Sequence, residues 1–68
     1  MREKHSDEPP VSEGKILKLT CESLGTKGDG IFKFNNFVII VPNTQIGHEY
    51  KIEVVTVKPS MAFGEIID

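Results

Sequence analysis

The stretch from Ile31 to Val41 reads IFKFNNFVIIV, so two apolar runs stand only two residues apart, and those two residues are Asn35 and Asn36. Asparagine tolerates the left-handed backbone that a two-residue hairpin turn demands. The chain is therefore expected to reverse here and to pair two short strands. Pro42 ends the second strand because it has no N–H to give to a ladder, and Asn43 to His48 forms a loop closed by Gly47.

The rest of the chain carries the same signature of short strands between turns. From Lys15 to Leu24, KILKLTCESL places Leu17, Leu19 and Cys21 on one face and Lys18, Thr20 and Glu22 on the other, the pattern of a half-buried strand. Gly25, Gly28 and Gly30, with Asp29 between the last two, mark a turn-rich connection. Tyr50 to Val57 begins as a clean alternation of Tyr50, Ile52 and Val54 against Lys51 and Glu53. Val55 and Val57 then fall on the opposite parity, which predicts a bulge before the Lys58-Pro59-Ser60 turn. Met61 to Ile67 completes the set, with Ala62, Gly64 and Ile66 on one side and Met61, Phe63, Glu65 and Ile67 on the other.

Five short strands with no helical period predict an all-β fold, a small five-stranded antiparallel barrel, since closure removes the edges that free strands would expose. The oligonucleotide-binding (OB-like) type leads, and strand counting alone leaves an SH3-like barrel open. Its interior is expected to hold Leu17, Leu19, Cys21, Ile31, Val38, Ile52, Val54, Ala62 and Ile66. Residues 1–10 are read as a flexible charged arm and residues 11–68 as the barrel domain. Residues 1–13 account for the net charge of −2: Glu3, Asp7, Glu8 and Glu13 outnumber Arg2 and Lys4, and from Gly14 onward six lysines balance six acids.

A chain of 68 residues buries only roughly 60% of its unfolded surface, which argues against an elaborate catalytic cleft. Neither His5 nor His48 has a sequence reason to sit beside Cys21, Ser23 or Ser60, so no nucleophile has a base and no catalytic residue is assigned. The lone cysteine forms no internal disulfide, and two isolated histidines make no metal-ligand cluster; no metal and no cofactor is expected. GTKGDG lacks the pattern of a phosphate loop and opens no helix. With no apolar run long enough to span a bilayer and no hydrophobic leader, the protein is expected to be soluble and cytoplasmic.

The aromatic residues carry the functional signal. If Ala62 and Gly64 face a crowded interior, Phe63 and Met61 face outward, and an outward Phe costs solubility unless it has a use. Phe37 just after the Asn-Asn turn, Lys33 just before it and Phe63 on the last strand would form a platform for stacked bases with a cation for the backbone. Lys27 and Lys58 lie in turns and would extend that cluster. Phe32 and Phe34 share one strand face and are read as packing residues, with a surface role left open.

Five pieces in order then resemble the TRAM domain family: Gly28-Asp29-Gly30-Ile31, Phe37-Val38-Ile39-Ile40-Val41-Pro42, Ile46-Gly47, Val57-Lys58 and Ala62-Phe63-Gly64-Glu65-Ile66. The resemblance covers Val11 to Asp68. It implies an OB-like barrel that binds RNA without catalysis, and, with no enzyme domain in the sequence, the free-standing archaeal kind that acts as a cold-shock-like RNA chaperone. Carried over by position, the RNA surface would be Lys33, Phe37, Ile40, Met61 and Phe63. Lys33 replaces the family's usual arginine, Ile40 and Met61 stand where phenylalanine is common, and Asn43 replaces a common glycine. Lysine keeps the charge but loses planar stacking, so weak binding of low sequence specificity is expected. The implied partner is single-stranded RNA, including the unpaired regions of tRNA or rRNA, bound by a monomer with no membrane and no small-molecule substrate. The alternative is a protein-interaction module that uses Phe37, Ile40, Met61 and Phe63 as an apolar patch.

Overall fold

The computed structural model describes residues 10–67. Residues 1–9, most of the expected arm and all of its charged residues, lie outside the described residues. The strands are β1 (Ile16–Thr20), β2 (Ser23–Leu24), β3 (Gly30–Phe34), β4 (Phe37–Val41), β5 (Glu49–Val57) and β6 (Met61–Ile66). They hydrogen-bond in the order β1-β5-β6-β4-β3-β2. The two ends of that order, β1 and β2, are consecutive pieces of the one segment expected to be a single strand.

A bend at Cys21 and Glu22 explains the split. Cys21 N–H donates to the His48 carbonyl at 3.0 Å and its carbonyl accepts from Gly47 N–H at 2.9 Å, on the β5 side. The next residue, Glu22, gives its N–H to the Ile31 carbonyl of β3 at 2.9 Å. One bent segment thus pairs with β5 through its first half and with β3 through its second, and the sheet curls back on itself. This is the OB-like barrel, with six strand pieces in place of five strands. The pairing is not wholly antiparallel: β4 and β6 run parallel, with Val38 opposite Met61, Ile39 opposite Ala62 and Ile40 opposite Phe63.

The hairpin forms where the asparagines stand. Asn35 and Asn36 have φ of 54° and 64°, and Phe34 pairs with Phe37 across them. The bulge in β5 also lies where parity slips: Val54 pairs with Gly64 and Thr56 with Phe63, so Val55 is left over and exposed.

The buried core is Val11, Cys21, Phe32, Phe37, Ile39, Val41, Ile52, Val54 and Ala62, with Leu17, Leu19, Phe34, Tyr50, Val57 and Ile66 packed around it. Phe32 is fully buried and meets Tyr50 edge-on, ring centres 6.2 Å apart. Ile31 and Val38 do not join this core as expected. They share a face with Lys33 and Ile40, one step out of phase with buried Phe32 and Ile39. The phase was ambiguous because Phe37-Val38-Ile39-Ile40-Val41 is apolar on both faces, and alternation is silent when neither face is polar.

Close approach fixes two glycines. A Cβ on Gly30 would run into the Thr44 hydroxyl, which is buried and donates to the Val41 carbonyl at 3.2 Å. A Cβ on Gly64 would lie 2.7 Å from Ile52 Cγ2 and 3.0 Å from the Glu53 carbonyl oxygen. Gly64 is what lets β6 press onto β5.

Candidate functional site

Two rows of side chains cross the outer face of β3, β4 and β6. Ile31 pairs with Ile40 across the hairpin, and Ile40 pairs with Phe63 across the parallel ladder. One step along, Lys33 pairs with Val38 and Val38 with Met61. Strand residues alternate between faces, and the residues between these, Phe32, Ile39 and Ala62, are fully buried. The rows therefore stand on the outside. An outward face of a sheet is ordinarily polar; here Lys33 is the single charge in rows that otherwise hold Ile31, Ile40, Phe63, Val38 and Met61.

The turn between β2 and β3 closes one side of this face. Gly25 N–H donates to the Asp29 carbonyl at 2.8 Å and Gly28 N–H to the Gly25 carbonyl at 3.0 Å, a compact loop that uses the positive φ of 88° at Gly28. Gly25, Thr26, Lys27 and Asp29 from this turn, with Ile31, Ile40 and Phe63 from the sheet, line an open groove of about 250 Å³. At the other end, Lys58 N–H donates to the Met61 carbonyl at 2.8 Å, which anchors Lys58 beside the Lys33–Val38–Met61 row and outside the groove.

Of the site residues expected from sequence, Lys33, Ile40, Met61 and Phe63 share this outer face, Lys27 lines the groove and Lys58 flanks the face. Phe63 is 37% exposed. Phe37 is corrected: it retains 8% exposure and belongs to the core. It pairs with Phe34 at the hairpin end and points inward with Ile39 and Val41. Its ring supports the face from behind and offers no stacking surface. The same burial removes Phe37 from the apolar patch of the alternative reading. Reasoning from sequence missed Ile31 and Val38, which it assigned to the interior, and gave the GTKGDG turn a merely geometric role. The available signal was the apolarity of β4 on both faces, which a solvated strand would not show.

Among the described residues, no group of three or more His, Cys, Asp or Glu side chains is placed to hold a metal ion, and no helix is long and apolar enough to cross a membrane. Cys21 is buried, with its Sγ donating to the Ser23 carbonyl at 3.3 Å.

Comparison with known proteins gives this geometry a family. The chain is 41% identical over 58 residues to translation initiation factor 2 subunit beta of Methanothrix thermoacetophila, covering 85% of the chain and 28% of the factor. It is 38% identical over 65 residues to ribosomal RNA large subunit methyltransferase E of Haloarcula marismortui, covering 96% of the chain and 25% of the enzyme. An uncharacterized protein of Methanocaldococcus jannaschii is 41% identical over 58 residues, which are 85% of the chain and 75% of that protein. The chain thus spans about a quarter of the first two relatives. The solution structure of a conserved protein of Methanococcus maripaludis superposes with a TM-score of 0.85 at 37% identity, covering 91% of this chain and 89% of that one. Residues 10–67 match the TRAM domain, and the chain belongs to the TRAM domain family.

Proposed function

We propose that the protein binds single-stranded or weakly structured RNA on the outer face of β3, β4 and β6, without catalysing a reaction on it. The observation that carries this reading is the apolar row Ile31–Ile40–Phe63, which stands on the outside of the barrel beside Lys27 and Lys33. Single-stranded nucleic acid is held by such a combination: flat or apolar surfaces against base faces, and cations along the backbone. The relatives support it, since the same fold unit forms part of a ribosomal RNA methyltransferase and of a translation initiation factor. Because Ile40 and Met61 supply no aromatic face, Phe63 is the main stacking residue. Lys33, Lys58 and Lys27 are the backbone contacts, and Phe37 acts from behind the sheet.

Weak, sequence-tolerant contact suits a cytoplasmic RNA chaperone of the cold-shock kind, acting as a monomer on unpaired segments of tRNA or rRNA. Titration of labelled protein with a short unstructured oligoribonucleotide, followed by amide and side-chain NMR shifts, tests the reading. Shifts at Lys33, Ile40, Met61 and Phe63 that shrink as salt rises are expected. Unchanged spectra at low salt would reject it and leave Ile40, Met61 and Phe63 as a surface for an apolar protein partner.

A further inference from the structure

The Gly25–Asp29 turn gives the outer face a wall. At about 250 Å³ the groove under it is smaller than the roughly 300–1,000 Å³ clefts that take drug-sized ligands, a size suited to one ring system and not to a run of nucleotides. Its floor is apolar, from Ile31, Ile40 and Phe63, and its wall is polar, from Thr26, Lys27 and Asp29.

Asp29 is the informative member. A carboxylate beside an RNA path repels phosphate, a cost that hydrogen bonds accepted from a base would offset. Asp29 is half-buried between exposed Gly28 and buried Gly30. The turn uses its backbone carbonyl, which accepts from Gly25 N–H. The side-chain hydrogen bonds among the described residues engage Cys21, Thr44 and Tyr50, and none of them involves the Asp29 carboxylate.

We propose that this groove is a subsite for a single nucleobase, that Asp29 reads the base's Watson–Crick edge, and that guanine is the preferred occupant. The inference rests on the RNA-binding reading above and adds base selection at one position of an otherwise sequence-tolerant surface. An ionised aspartate only accepts hydrogen bonds, through two oxygens. Guanine presents N1–H and N2–H side by side, which match a carboxylate bidentately, and its O6 accepts from the Thr26 hydroxyl or the Lys27 ammonium. Adenine and cytosine each offer one amino group. Uracil offers one N–H between two carbonyls that repel a carboxylate. The expected order is guanine, then adenine and cytosine, then uracil.

Fluorescence anisotropy with the full chain and a short labelled uridine strand, its central nucleotide varied among U, A, C and G, tests this. The strand with central guanine should bind about tenfold tighter than the all-uridine strand, and Asp29→Asn should reduce that ratio to about twofold or less. The same variant should bind the all-uridine strand no more weakly, because a negative charge is lost. Asparagine suits the same turn, and an amide NMR spectrum unchanged outside residues 25–31 verifies the fold. A flat base order in the unmodified protein overturns the subsite, as does an Asp29→Asn variant that tightens all four strands equally. If Phe63→Ala weakens all four strands while the base order is flat, the RNA-binding face stands and the guanine subsite alone falls. Failure of all four strands to bind at low salt removes both.

Discussion

Truncating Phe37 empties a place that the barrel closes around, whereas truncating Phe63 trims a ring that stands partly in solvent. Phe37→Ala should therefore cost about 3–5 kcal/mol of stability, a large share of what so small a domain has. Phe63→Ala should cost about 1 kcal/mol or less, as a substitution outside the core does, yet it should be the one that weakens RNA binding in the folded protein. Urea unfolding of both variants, paired with oligonucleotide titration, checks the split. Equal losses of stability would place Phe63 in the core and leave the outer face without its ring. Gly64 gives a second residue-scale test. Its Cβ would press on Ile52 and on the Glu53 carbonyl, a backbone atom that cannot rotate away. Gly64→Ala should cost about 1–3 kcal/mol as overpacking, read as a lower urea midpoint with an unchanged slope.

The hairpin is the element whose geometry the sequence states most directly. Asn35 and Asn36 both sit at positive φ, the arrangement of a type I′ turn that matches the twist of the paired strands. Alanine at position 36 meets the left-handed penalty of about 1–2 kcal/mol, so Asn36→Ala should lower the melting temperature by roughly 4–16 °C at this chain length. Asn36→Gly should leave it unchanged or raise it. A melting temperature equal for both variants would mean that the turn is held by Phe34 and Phe37 and not by its own residues. The bulge after Val54 was legible for a similar local reason, since a change of parity within one strand has no other simple cause. The faces of β3 and β4 were not legible. Val38 and Ile39 are equally apolar and both pair with β6, so the local pattern does not say which points inward. The parallel pairing of β4 with β6 was hidden too, because strands separated by β5 leave no mark of their pairing in local sequence. The bend at Cys21 lay inside an unbroken alternation, so nothing in Lys15 to Leu24 announced that its two halves serve different neighbours.

For the molecule as a whole, closure and charge fix how RNA would be held. The bent first segment joins β5 to β3, so the outer face of β3, β4 and β6 is carried on a ring and not on a free sheet edge. The chain's formal charge is −2, so no long-range field draws RNA in, and the electrostatic share of binding comes from the lysines at the face. If Lys27, Lys33 and Lys58 each neutralise one phosphate, the log–log dependence of affinity on salt should have a slope near about −2, at roughly 0.7 per phosphate on a single strand. Lys33→Ala should make that slope shallower by about 0.7. Phe63→Ala should lower affinity at every salt concentration and leave the slope unchanged, because a base face displaces no counterions. Affinity measured from low to moderate salt for the three proteins separates the two contributions. A slope close to zero in the unmodified protein would mean that the lysines do not reach phosphate and that base stacking on the apolar face alone holds the strand.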